Sequence, residues 1–274
     1  MHLKYLYPHW GSEALSCQAF FDVMEQEGFD GIEINMPKDP SFQNQLFNLV
    51  DEKRSVDPNF VVMAQQVLGL QSETPEAYLS RVLERLEMIS QAQPDVINSH
   101  TGKDHYSFSD NCKIIEAVEE FSLRKGIPVY HEIHRGRFTF HSTTTLQYLD
   151  VFPQLKFVGD FSHWCVVSES LLQDQEDTIA SIMPHLYHIH ARVGTEQASQ
   201  VNHPFAPEWQ SHLDRFTQLW KQIVSFHKNR TNFTITPEFG PFPYMPRSPF
   251  DQKPLSDQKE INIKMMKYLK TVLS

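Results

Sequence analysis

The chain has 274 residues, is 40% hydrophobic and 21% charged, and carries a formal net charge of −10 from 24 Lys+Arg against 34 Asp+Glu. This globular composition excludes a wholly disordered chain, and only 10 glycines exclude a collagen-like repeat. The acidic balance argues against a general nucleic-acid binder, whose affinity comes from neutralising phosphates, and no stretch approaches the ~20 apolar residues of a membrane span.

In chain order, short runs rich in Val, Ile, Phe and Tyr alternate with longer segments of helical period. The opening MHLKYLYPHW lacks the apolar core and cleavage site of a secretory signal and holds a first strand, Leu3–Tyr7. A helix near 12–27, a strand Gly31–Asn35, a helix near 41–54 and a strand Val61–Gln65 follow. The best-signalled helix spans 75–92: Thr74 suits the N-cap and Pro75 the first helical position, and Leu79, Val82, Leu83, Leu86 and Ile89 share a face. Next come a strand Val96–His100, a helix near 108–125, a strand Pro128–Glu132, a helix near 143–151 and a strand Lys156–Asp160. A helix near 174–183, a strand Leu186–Ala191, a helix near 207–229, a strand Thr234–Glu238 and a helix near 256–272 complete the chain. Eight strand–helix alternations predict an α/β protein, a (β/α)8 TIM barrel forming a single domain over residues 1–274. A doubly wound sheet is the rival, but no GxGxxG or GxxxxGK[ST] phosphate loop occurs. The Pro-rich stretch 237–254 and the polar stretch 194–207 read as functional loops over the barrel mouth. Cys17, Cys112 and Cys165 are odd in number and far apart, so the expectation is a reducing, cytoplasmic setting without disulfides.

Active sites of such barrels lie at the C-terminal strand ends. The polar residues ending the apolar runs are Gln65, His100, Glu132, Asp160, His190 and Glu238, with His163 three residues beyond Asp160. Any one carboxylate there is ordinarily a solvated loop residue. Four ligand-type residues, Glu132, Asp160, His190 and Glu238, at one topological level on consecutive strands instead point to one divalent metal ion. Burying such charges is costly unless a cation neutralises them, and an oxygen-rich mixed set suits Mn, Mg, Co or a catalytic Zn. His188 shares a face with His190 but lies a layer deeper, which makes it a packing or supporting group. The string His131-Glu132-Ile133-His134 mimics HExxH but has the wrong spacing and falls on a strand. Cys165 reads as a small buried hydrophobe. Sequons at Asn229 and Asn232 carry no weight without a secretory signal. Glu33 ends strand two, free to take a hydroxyl or pair with a Lys or Arg. Lys103, Arg135, Arg137 and Arg192 follow strand ends and suit a substrate phosphate or carboxylate, and His9 and Trp10 can wall the pocket against a sugar ring.

These motifs, with GDFSHW, HIHARVG and PEFGP, resemble the xylose isomerase-like TIM barrel superfamily, most closely proteins described as sugar phosphate isomerase/epimerase, over nearly the whole chain. The resemblance to the ketose 3-epimerases implies a metal held by Glu132, Asp160, His190 and Glu238, with Glu132 and Glu238 as the catalytic acid/base pair. It also implies substrate contacts from His163 and from the basic residue after the strand-seven His, for which Arg192 is the nearest match. His100, Lys103 and Trp10 complete the expected substrate-binding set. The partner is then a small sugar or sugar derivative, with no nucleic acid or membrane, in a chain whose relatives often form homo-oligomers. The expected reaction is isomerisation or epimerisation by proton abstraction next to a carbonyl, through an enediolate. A keto-polyol dehydratase using the same site is the alternative. An endonuclease IV-like phosphodiesterase is a further one, with His100, Glu132, Asp160, His163, His190, His203 and Glu238 as zinc ligands. Gln65 stands where that family has a ligand His, and Val201-Asn202-His203 lacks its Asp.

Overall fold

The computed structural model describes residues 1–273. Eight parallel strands close a barrel in sequence order, and each pairs with its neighbours in the chain, the last with the first. They are β1 (His2–Pro8), β2 (Gly31–Ile34), β3 (Val61–Gln66), β4 (Val96–Ser99), β5 (Val129–Glu132), β6 (Phe157–Gly159), β7 (Leu186–His190) and β8 (Asn232–Thr236). The helices are α1 (Cys17–Glu27), α2 (Pro40–Val56), α3 (Pro75–Ser90), α4 (Phe108–Lys125), α5 (Ser142–Val151), α6 (Phe161–Ser168), α7 (Glu176–Ile182), α8 (Gln210–Phe226) and α9 (Gln258–Val272). Among the described residues, no helix is long and apolar enough to cross a membrane.

Local chemistry sets the helix boundaries. Thr74 accepts from the Ala77 amide at 3.3 Å with Pro75 behind it, Asp39 caps α2 ahead of Pro40, and Ser107 caps α4. α1 starts at Cys17, later than the expected 12, because Ser16 adopts the extended N-cap conformation and accepts from the Ala19 amide. β8 ends at Thr236 and not at the expected Glu238, since Pro237 has no N–H for the ladder. α6 was not expected: FSHWCVVS has no polar face, and Phe161, Ser162, His163, Trp164 and Cys165 are all buried. The Asp160 carboxylate caps it by accepting from the Ser162 amide at 3.1 Å.

Two layers of apolar packing follow from strand alternation. Outward-facing residues such as Ile32, Val62, Ile97 and Ile189 pack under the helices in the main core. Inside the barrel, Leu6, Met63 and Val96 form a separate apolar plug with Val61 and Tyr130. Above that plug the interior turns polar, and the functional groups stand there.

Candidate metal centre

Glu132 ends β5, Asp160 follows β6, His190 ends β7, and Glu238 lies two residues past β8. One ligand atom from each of these four buried residues lies within 4.8 Å of all the others. His190 Nδ1 is 2.8 Å from Glu238 Oε2 and 3.8 Å from Glu132 Oε2, yet it has no hydrogen-bond partner, so the close pair is misaligned for proton sharing. Two donors at that spacing are roughly the separation of adjacent ligands on one ion with bonds of about 2.0–2.2 Å. Three carboxylates and an imidazole are also the donor chemistry a divalent cation takes. The set therefore fits a metal.

Beneath it, Glu33 ties the layer together. Its Oε1 accepts from Gln65 Nε2 and from Asn98 Nδ2, each at 3.0 Å, and lies 3.0 Å from His190 Nε2; Oε2 accepts from Thr236 Oγ1. The two amides reach onward, Asn98 to Glu132 Oε2 at 2.7 Å and Gln65 to Glu238 Oε1 at 3.1 Å. Burial pushes the Glu33 carboxyl up, but His190 and His188 outweigh it and hold it well below its ordinary value. An ionised Glu33 orients His190 with Nε2–H toward the carboxylate, which leaves Nδ1 for a metal. Sequence reasoning left Glu33 open to a hydroxyl, a Lys or an Arg; its partners are instead two histidines, two amides and a threonine. His188 lies a layer deeper as expected, with Nδ1 2.7 Å from Thr234 Oγ1 and Nε2 3.4 Å from Glu33 Oε2.

The two glutamates of the upper layer sit in different fields. Burial raises both. At Glu132 the hydrogen bond from His100 and the charge of His190 outweigh burial and hold the carboxyl low, whereas at Glu238 burial wins and the carboxyl stays raised. For His190, burial favours the neutral ring, but Glu238, Glu33 and Glu132 raise it well above the ordinary histidine value.

Asp160 is wholly buried and paired with Arg192, whose Nη2 also donates to His163 Nε2 at 2.9 Å. The Arg192 guanidinium lies 4.8 Å from the Tyr244 ring centroid and 5.8 Å from that of Trp10. Its Nε and Nη1 have no hydrogen-bond partner. The rings of His100, His134 and His163 form a row, with centroids 4.5 and 3.8 Å apart. Burial, reinforced by neighbouring cations, keeps His134 and His163 neutral. His100 Nε2 is 2.9 Å from Glu132 Oε2, while Arg137 Nη2 is 3.2 Å from His100 Nδ1.

A cavity of about 970 Å³ opens above this layer, walled by Trp10, Leu68, Lys103, Arg137 and Tyr244 among others. The stretch after β8 closes one side. A Cβ on Gly240 would fall 2.1 Å from the Trp10 ring, so this loop approaches Trp10 only with glycine there. All the expected residues thus gather in one place: Glu132, Asp160, His190 and Glu238 at the centre, His163 and Arg192 on Asp160, His100 on Glu132, and Lys103 and Trp10 on the wall. His203 does not join them. Its Nδ1 accepts from the Phe205 amide at 3.3 Å, and it belongs to no cluster of potential ligands among the described residues, which removes a ligand from the nuclease-like set. Asn98, His134 and Tyr244 escaped sequence reasoning, and so did the partners of Glu33. The inward alternation on β2 and β4 flags Glu33 and Asn98, but nothing local flags His134 or Tyr244.

The closed parallel barrel has the fold of the xylose isomerase-like TIM barrels. Solved structures similar to the chain include the probable 3-DHS dehydratase AsbF from Bacillus anthracis, with 16% identity, 97% of this chain and 98% of that chain covered, and a TM-score of 0.65. They also include the 3-keto-D-glucoside 4-epimerase YcjR from E. coli in its apo form (14% identity, 98% and 100% covered, TM-score 0.58). A third is the IolI protein with a bound zinc atom (11% identity, 99% and 98% covered, TM-score 0.66). No family model matches the chain, and no curated protein matches it in sequence.

Proposed function

We propose that the protein is a divalent-metal-dependent isomerase or epimerase acting on a sugar or sugar derivative, working as one barrel domain. The observation that carries this reading is the convergence of Glu132, Asp160, His190 and Glu238 within 4.8 Å, with His190 Nδ1 unsatisfied. Likeness in fold to an epimerase, a dehydratase and a zinc-bound barrel supports it. Glu132, Asp160, His190 and Glu238 would hold the ion. When bound, the cation stabilises negative charge developing on a substrate carbonyl and its neighbouring hydroxyl oxygen. Glu132, held ionised, takes the proton from the carbon next to the carbonyl. Glu238, with its raised carboxyl, returns one from the other side of the enediolate plane. His163 and the free Arg192 donors bind hydroxyls, while Trp10 and Tyr244 cover the apolar ring face and exclude water. The test is deuterium uptake from heavy water into ketoses by the metal-loaded protein. Uptake abolished by chelation is expected; metal content of about one ion per chain goes with it. No metal after reconstitution would overturn the reading.

A dehydration on the same site is the second reading. It is favoured by the raised carboxyl of Glu238, which can hand a proton to a departing hydroxyl. Product mass separates the two.

Two further outcomes follow. Glu33→Gln removes the charge that orients His190, and should weaken metal affinity by about 10–100-fold in a chelator competition. Metal uptake should also release about one proton near neutral pH, seen with an indicator in weak buffer. The sign follows from His190: its folded value lies above its unfolded value, so its protonation stabilises the metal-free fold below the ordinary histidine value. That contribution is lost as pH rises through the raised value. Ligation at Nδ1 needs the proton gone, so metal affinity falls roughly tenfold per pH unit below the raised value.

A further inference from the structure

Three buried cations on the cavity wall have no carboxylate partner among the described residues. Lys103, on the loop after β4, is 5% exposed; its ammonium sits 5.0 Å from the Tyr78 ring centroid and makes no hydrogen bond or ion pair among the described residues. Arg137, on the loop after β5, is 7% exposed, donates to the Gly136 carbonyl at 3.1 Å and to His100 Nδ1 at 3.2 Å, and has an unsatisfied Nε. Arg85 of α3 donates to Asn35 Oδ1 at 2.6 Å and to the Met36 carbonyl at 2.8 Å, again with Nε unsatisfied. Of the acids near Lys103, Glu73 pairs with Arg81 at 2.5 Å through one oxygen, its other oxygen being unpartnered, and Asp104 lies 3.1 Å from the adjacent His105; neither forms an ion pair with Lys103 among the described residues. Burial pushes the Arg85 guanidinium down to about 10, and burial together with the charge of Arg137 lowers the Lys103 ammonium. The chain as a whole is acidic, at −10, yet Lys and Arg outnumber Asp and Glu seven to four around this cavity. An ionised group buried without a counter-charge is unfavourable unless a ligand supplies the charge.

We propose that Lys103 and Arg137 form an oxyanion subsite that seats a carboxylate or phosphate group of the substrate, with Arg85 adding to the positive field. This deepens the reading given above and rests on it, since the metal centre is what holds the reacting end. Arginine can only donate, so His100 Nδ1 accepts from Arg137 and Nε2 carries the proton toward Glu132 Oε2. One imidazole ring therefore separates the subsite from the proposed base. The substrate class is an acidic sugar derivative whose anionic group lies a few bonds from the reacting carbon. A neutral hexose would leave both cations unpaired and be rejected for that reason.

The test is calorimetric titration of the metal-loaded protein with inorganic phosphate, a hexuronate and, as the neutral control, glucose. The same titrations are run on Lys103→Met and Arg137→Met, with melting temperature and metal content measured on every sample. At least one anion should bind the wild type and bind each variant at least tenfold more weakly, while glucose gives no measurable heat. The tighter anion tells phosphate from carboxylate. Lys103→Met should melt at the same or a higher temperature, because it removes an uncompensated buried charge, so lost binding there is not unfolding. Absence of binding by both anions, or equal binding in wild type and variants, overturns the subsite. Bound metal with no anion binding sinks the subsite alone. Anion binding that depends on Lys103 in a protein that takes up no metal keeps the subsite and sinks the isomerase or epimerase reading.

Discussion

Glu132→Gln and Glu238→Gln should each slow solvent-proton exchange into substrate by about 10²–10⁴-fold, the usual contribution of a positioned acid or base. Circular dichroism and melting should show the barrel intact. The amide is isosteric, and both positions keep hydrogen-bond partners, Asn98 and His100 at Glu132 and Gln65 at Glu238. The two losses differ in kind. Glu132 is the carboxylate held ionised, so its removal takes away the proposed base. Glu238 faces His190 Nδ1 at 2.8 Å, so its removal takes away the raised acid and also weakens the metal. Elemental analysis should therefore find less metal in Glu238→Gln than in the wild type. Full exchange activity in either variant would take that residue out of the acid/base role.

Arg192→Met should destabilise the metal-free protein by about 3–5 kcal/mol, the range for stranding one partner of a buried ion pair. Asp160 is wholly buried and Arg192 is 1% exposed, so the substitution strands the carboxylate in a buried site. The Asp160 carboxylate keeps Ser162, through its amide at 3.1 Å and its hydroxyl at 2.5 Å, and His163 Nε2 at 3.6 Å. Urea unfolding measures the difference. With metal bound the penalty should shrink, because the ion then supplies the positive charge Asp160 lacks. A penalty below about 1 kcal/mol without metal, the range of an exposed pair, would mean that Arg192 does not hold Asp160 in place.

Much of this was legible along the chain, for reasons that can be assigned residue by residue. Thr74-Pro75 and Asp39-Pro40 mark helix starts because capping and proline geometry are local. α4 lies at its expected bounds, 108–125, where Ser107 supplies the N-cap and Gly126 the left-handed C-cap. α6 was missed because its sequence has no polar face, and it is a helix where the barrel and loops bury Phe161, Ser162, His163, Trp164 and Cys165. The convergence of Glu132, Asp160, His190 and Glu238 was legible because a parallel barrel brings the ends of its strands to one level.

The sequence by itself determined the barrel, the face that carries the site, and the identity of Glu132, Asp160, His190 and Glu238. Each of these rests on periodicity and on short-range chemistry, which a linear reading captures. Only the tertiary structure decided that Glu33 is the hub beneath His190, that Arg192 is committed to Asp160, and that Lys103 and Arg137 face the cavity without a counter-charge. Those facts depend on which side chains meet across the barrel, up to 203 residues apart for Thr236 and Glu33. Burial then sets the strength and direction of each charge, and burial is a property of the closed barrel and not of any segment of it.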